Sequence, residues 1–168
     1  MTAPTPRRVP WRAIALITAA CYGADLASKQ WALSALEPGE YHPVWGRVFG
    51  FELVFNPGAA FSFLTGHTWL FTALSVLMTV VILTVLRRVG AWAWAWALAG
   101  LLGGTLGNLT DRIFRDPGVG VGHVVDFLNY NGLFVGNVAD IFIVAAALAI
   151  ALLAFMGVPL EGGERTDE

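Results

Sequence analysis

Four long, almost uncharged apolar runs restrict this chain more than any other feature. Thr68 to Leu86 contains no Asp, Glu, Lys or Arg, and Asn137 to Val158 contains only Asp140. Hydropathy windows of about 19 residues place spans near 11–36, 68–86, 91–111 and 137–158. Each is close to the ~20 residues needed to cross a hydrocarbon core of ~30 Å. Hydrophobic residues make up 57% of the chain and charged residues only 13%. The charges crowd into the termini and short links, too few elsewhere to make a soluble surface. The expectation is an all-α polytopic membrane protein, residues 1–168 forming a single integral membrane domain.

Orientation follows from the arginines. Arg7, Arg8 and Arg12 precede the first span, and Arg87 and Arg88 fill the link between the second and third. By the positive-inside rule both termini and that link are cytoplasmic. The longer connections, 37–67 and 112–136, then lie outside, although Arg47, Arg112 and Arg115 fall there. Trp92, Trp94 and Trp96 at the start of the third span suit an interfacial belt. The basic N-terminus and the apolar run after it resemble a signal peptide. That run continues past Asp25 and Lys29 without a small-residue cleavage motif, which fits a retained anchor helix.

Outside the spans, VFGFELVFN (48–56) is rich in β-branched and aromatic residues and partly alternates. It predicts a short strand or hairpin arm, a small extramembrane β-structure on the outer side. PGAAFSF follows with a turn signal and apolar side chains that would lie against the bilayer surface or roof a cavity. A net charge of −2 without a basic face argues against a nucleic-acid partner. Cys21 stands alone, so it forms no internal disulfide and reads as a small packing residue.

The acidic residues gather at one depth. Asp25 lies about 14 residues into the first span, or ~21 Å from the cytoplasmic side. Asp111 closes the third span, Asp126 follows it, and Asp140 opens the fourth. A carboxylate in a membrane helix costs about +2.5 to +3.5 kcal/mol even on lenient scales, so each needs a reason. Asp25 and Lys29 have the i, i+4 spacing of a helix ion pair. Asp111 beside Arg112 suits helix termination and an Asp–Arg clamp. Asn137 and Asp140 have the spacing of a capping box. Asp126, in HVVDF, has no Lys or Arg within four positions. Two acids brought together without a cation repel, one carboxyl rises, and the pair can serve as general base and general acid on one water.

Five blocks carry a resemblance: DLASK (25–29), NPGAAFS (56–62), GGTLGNLTDR (103–112), VVDF (124–127) and NVAD (137–140). In this order, on four spans, they resemble the motifs of bacterial lipoprotein signal peptidase, signal peptidase II. The resemblance implies an intramembrane aspartic endopeptidase of the bacterial inner membrane. Its substrates are prolipoproteins whose lipobox cysteine carries diacylglycerol, and it cuts just before that cysteine. Family members look like a four-helix bundle with a small β-structure and a surface helix. A monomer among membrane lipids is expected, with no metal or organic cofactor.

Carried over by motif, the catalytic pair falls on Asp126 and Asp140. Asp25, Lys29, Asn56, Gly58, Ala60, Gly104, Gly107, Asn108, Asp111, Arg112, Asn137 and Ala139 fall on positions that shape the site or contact substrate. Asn56, Asn108, Arg112 and Asn137 are the expected polar contacts to the substrate backbone. Gly136 departs from the family, which often has an aromatic there, and the connection from Asp126 to Asp140 is short.

The residues themselves also bear on rivals. A zinc protease lacks HExxH, and His42, His67 and His123 are scattered outside the spans. Ser28 and Lys29, being adjacent, point about 100° apart on a helix, and Ser62 lacks a G-x-S-x-G elbow. A proton-coupled carrier would also use intramembrane Asp and Lys, but its charges should continue through the inner half, here lined by Ala, Leu, Ile and Val. A scaffold subunit with structural ion pairs would tolerate replacement of Asp126.

Overall fold

A computed structural model describes residues 8–58 and 68–162. In chain order its elements are α1 (Trp11–Ala35), β1 (His42–Trp45), β2 (Phe49–Asn56), α2 (Thr68–Leu86), α3 (Trp92–Phe114), β3 (Val124–Tyr130), β4 (Phe134–Gly136) and α4 (Val138–Phe155). The four helices coincide with the four apolar runs. One boundary differs in a way that matters: α3 does not end at Asp111 but continues to Phe114. Nothing in TDRIF opposes helix, and the first strong stop is Pro117, which disfavours helical backbone at the residue before it.

The central helix is α3, which packs against α1, α2 and α4. Its glycines allow this. A Cβ on Gly103 would lie 2.8 Å from Thr18 O of α1, and one on Gly104 would lie 2.7 Å from Ala139 O of α4. Between helices in lipid there is little hydrophobic drive, so close backbone approach at small residues supplies the packing.

Of the four, α2 and α4 are long and apolar enough to cross a membrane, and most of their surface is exposed. At 25 and 23 residues α1 and α3 have the length but carry the polar motifs. They turn those side chains inward: Asp25, Lys29, Asp111 and Arg112 are all buried.

The β-structure is larger than the sequence suggested. β1, β2, β3 and β4 form one antiparallel sheet in that order. The segment after α3 is therefore half of the sheet and no plain connection. β3 and β4 are joined by a tight turn in which Asn131 (φ 58°) and Gly132 (φ 72°) take the left-handed conformation. Asn-Gly between apolar runs is the strongest short-range hairpin signal. Ala32 of α1 packs with Leu53, Val125, Phe127 and Leu128, and Trp31 meets the Phe51 and Phe127 rings edge-on at 5.0 and 5.9 Å. This seats the sheet on the end of α1. Both hairpin tips present exposed apolar side chains: Val44, Trp45 and Val48 on one, Leu133 and Phe134 on the other.

At the opposite end three chain segments meet. Val9 N–H donates to Val89 O, Gly90 N–H to Leu160 O, and Trp94 Nε1–H to Val158 O at 2.9 Å. Ile14, Ile82, Leu86, Leu98 and Leu102 fill the core at this end.

Candidate active site

Asp126 projects from β3, paired with Val54 of β2, and Asp140 stands in the first turn of α4. Both line one cavity of about 250 Å³ with Asn56, Gly58, Phe71, Ser75, Asn108, Arg112 and Asn137. The expected capping box is present: Asp140 N–H donates to Asn137 Oδ1 at 3.0 Å, and Asn137 N–H donates to Asp140 Oδ2 at 3.1 Å. The cap is compatible with the catalytic placement expected for Asp140. The box binds one carboxylate oxygen and leaves Oδ1 to accept from Asn108 Nδ2 at 3.0 Å.

Asp126 receives two amides. Asn56 Nδ2 donates to Oδ2 at 2.7 Å and Asn137 Nδ2 to Oδ1 at 2.6 Å. Burial nevertheless pushes its carboxyl up to about 7; Asp140 pushes the same way, while the two amides and Lys29 pull against it. The three asparagines expected to hold substrate are thus turned toward the aspartates. Asn108 Oδ1 also accepts from Asn137 Nδ2 at 3.1 Å, which links the two carboxylates through two side-chain amides.

Asp25 and Lys29 form the expected ion pair, 2.7 Å from Oδ2 to Nζ, but it is not isolated. Nζ also lies 2.8 Å from Asp111 Oδ2 and donates to Asn108 Oδ1 at 2.9 Å. Gly107 makes room, since a methyl group there would overlap Asp25 Oδ2. Asp25 Oδ1 accepts from Ala139 N–H at 2.8 Å, which ties α1 to the start of α4.

The Asp111–Arg112 clamp is absent from the structure. Neighbours on a helix diverge by about 100°, and the two side chains leave α3 on different sides. Asp111 pairs with Arg115, one helical turn on, and with Lys29. Arg112 Nη1 instead donates to Asn56 O and Gly122 O, both at 3.0 Å, which binds the end of β2 to the approach of β3. Its guanidinium stacks over the Phe71 ring at 5.7 Å.

Two further contributors were legible only in part. A Cβ on Gly136 would lie 2.8 Å from Asp140 Oδ2, so the departure from an aromatic there borders the carboxylate directly. Phe71 carries no polar signal at all. Gly58 lines the cavity, while Ala60 lies outside the described residues, as do the rest of the PGAAFSF segment beyond Gly58 and any surface helix there.

The family described as "Signal peptidase (SPase) II" matches residues 17–156. The lipoprotein signal peptidase of Rhodococcus jostii is 42% identical over 88% of this chain and 74% of its own length. Those of Leifsonia xyli and Mycobacterium avium are each 40% identical, over 92% and 90% of this chain and 72% and 82% of theirs. Two bacterial membrane enzymes solved by the in meso method, at 1.9 and 2.3 Å resolution, share the fold. They superpose with TM-scores of 0.78 and 0.80 at 20% and 18% identity, covering 93% and 98% of this chain and all of theirs. The chain belongs to the signal peptidase II family.

Proposed function

We propose that Asp126 and Asp140 are the catalytic pair with which this membrane enzyme removes signal peptides from diacylglyceryl-modified prolipoproteins, cutting before the lipidated cysteine. The carrying observation is the shared cavity: a buried carboxylate, Asp126, and a half-buried one, Asp140, on different elements, joined through Asn108 and Asn137. The family's activity supplies the reaction, and these two residues supply a base and an acid for it.

Burial pushes the Asp126 carboxyl up to about 7, which favours its protonated form as the acid. Asp140 stands at the positive end of α4, facing the Asn137 backbone N–H. Asp140 removes a proton from a water molecule, and the oxygen attacks the scissile carbonyl carbon. Asp126 gives its proton to the carbonyl oxygen, forming a gem-diol. Asp140 then returns its proton to the amide nitrogen, the C–N bond breaks, and Asp126 recovers a proton from the departing carboxyl. The signal peptide leaves with a carboxylic acid, whose proton passes to the new amine of the cysteine or to water. The pair titrates as one unit.

All four helices are read as spanning the membrane, with both termini cytoplasmic and the sheet outside. Support comes from the tie between residues 8–9, 87–91 and 158–162 at one end and from the inward-facing polar residues of α1 and α3. The apolar core of that end leaves no charged path through the bundle among the described residues, which disfavours a carrier. Asp126→Asn and Asp140→Asn should each lower cleavage of a diacylglyceryl-prolipoprotein by at least about a hundredfold, the scale of lost acid–base catalysis. Near wild-type cleavage by either folded variant removes that residue from the pair.

A further inference from the structure

Lys29 is fully buried, and its ammonium nitrogen faces three oxygens at 2.7, 2.8 and 2.9 Å, as many as it has N–H donors. Each contact leads to one of the catalytic aspartates. Asp25 accepts the backbone N–H of Ala139, the residue directly before Asp140. Asp111 Oδ2 accepts the backbone N–H of Val125 at 3.2 Å, the residue directly before Asp126. Asn108 donates to Asp140 itself. An ammonium has donors only, so it must face Asn108 Oδ1, and that fixes the amide with Nδ2 toward Asp140.

We propose that Lys29 is a positioning residue: it joins two carboxylates that grip the backbone before each catalytic aspartate, and so sets the separation of the pair and the direction of the hydrogen bond to Asp140. It does not touch substrate. The inference rests on the catalytic assignment above. Elsewhere on the molecule an ion pair of this kind could serve folding alone; here its three arms end at Val125 of β3 and at Ala139 and Asp140 of α4, on or beside the residues of the chemistry.

Removing Lys29 alone leaves Asp25 buried without its cation and Asp111 with only Arg115, so two other variants carry the test. Lys29→Arg keeps the charge but replaces three radial donors by a planar fork. Asp25→Asn/Lys29→Met/Asp111→Asn removes the charges while each Asn can still accept its backbone N–H. Full-length proteins are compared on a diacylglyceryl-modified prolipoprotein peptide for kcat, KM and the pH–rate profile.

The expected result is KM within about threefold of wild type and kcat lower by about a hundredfold, the penalty typical of a misplacement near 1 Å. The two limbs of the profile should also move closer together as the aspartates separate. Lys29, Arg112, Asp111 and Asp25 are the other charges packed around them, and a purely structural role would leave the limbs in place. A folded variant of either kind with kcat within about threefold of wild type overturns the proposal. Loss of fold in both does so too, because the cluster would then have no role separable from folding. Failure of the wild type to cleave would instead overturn the catalytic reading.

Discussion

Asp126 is held in a conflict between burial, which favours its neutral form, and two asparagine amides, which favour its charge. Burial wins, and the carboxyl rises to about 7, against about 3.9 for an unfolded aspartate. Between those values the folded protein keeps a proton that the unfolded chain releases. The resulting stability is complete below about pH 4 and is lost as pH rises through about 7. An asparagine in its place has no proton to lose. Relative to wild type, the melting temperature of Asp126→Asn should therefore climb by several degrees between pH 4 and pH 8. A difference that stays flat across that range would contradict the burial of this carboxyl. The identities of such residues were legible because ionisable groups are rare in an apolar chain. Their partners were not: sequence adjacency suggested Arg112 for Asp111, whereas helix geometry delivers Arg115 and Lys29.

At the scale of elements, α4 and the β3–β4 hairpin bring the two carboxylates together. The capping box starts α4 and orients Asp140 in the same stroke, and this was readable from Asn137-x-x-Asp140. The hairpin is equally signalled by Asn131-Gly132, but β3 and β4 are short and lie between two apolar spans, so their pairing with β2 is not visible in local pattern. Gly132 needs its left-handed backbone (φ 72°), and among the described residues no atom lies near an added Cβ. Gly132→Ala should thus cost about 1 kcal/mol in backbone strain alone, measurable by thermal unfolding, with cleavage slowed but retained. Abolished cleavage in a folded Gly132→Ala protein would mean that the turn does more than hold register. Phe71 shows the limit of pattern reading: a phenylalanine under an arginine has no motif of its own.

For the whole molecule, the arginine bias and the meeting of residues 8–9, 87–91 and 158–162 at one end argue the same topology from unrelated facts. Glu40 and Val119 are exposed at the sheet end and Glu161 at the other. In a Cys21→Ala background, Glu40→Cys and Val119→Cys should react with a membrane-impermeant thiol reagent added outside intact cells. Glu161→Cys should react only after permeabilisation, and the reverse pattern would invert the proposed orientation. The four spans were legible in the apolar runs. Their arrangement around α3 was hinted at only by Gly103, Gly104 and Gly107, since close approach depends on partners that one helix does not name.

The exposed tips of the two hairpins, Val44, Trp45 and Val48 with Leu133 and Phe134, bear on how a bond is chosen. On the proposed topology they act as floats that fix the sheet at the waterline of the bilayer. Asp126 hangs from that sheet, so its altitude above the acyl chains is set by buoyancy and not by the substrate. A cysteine moored by two acyl chains has a set altitude of its own. Cleavage then falls where the two heights coincide, and the surrounding sequence has only to leave that coincidence undisturbed.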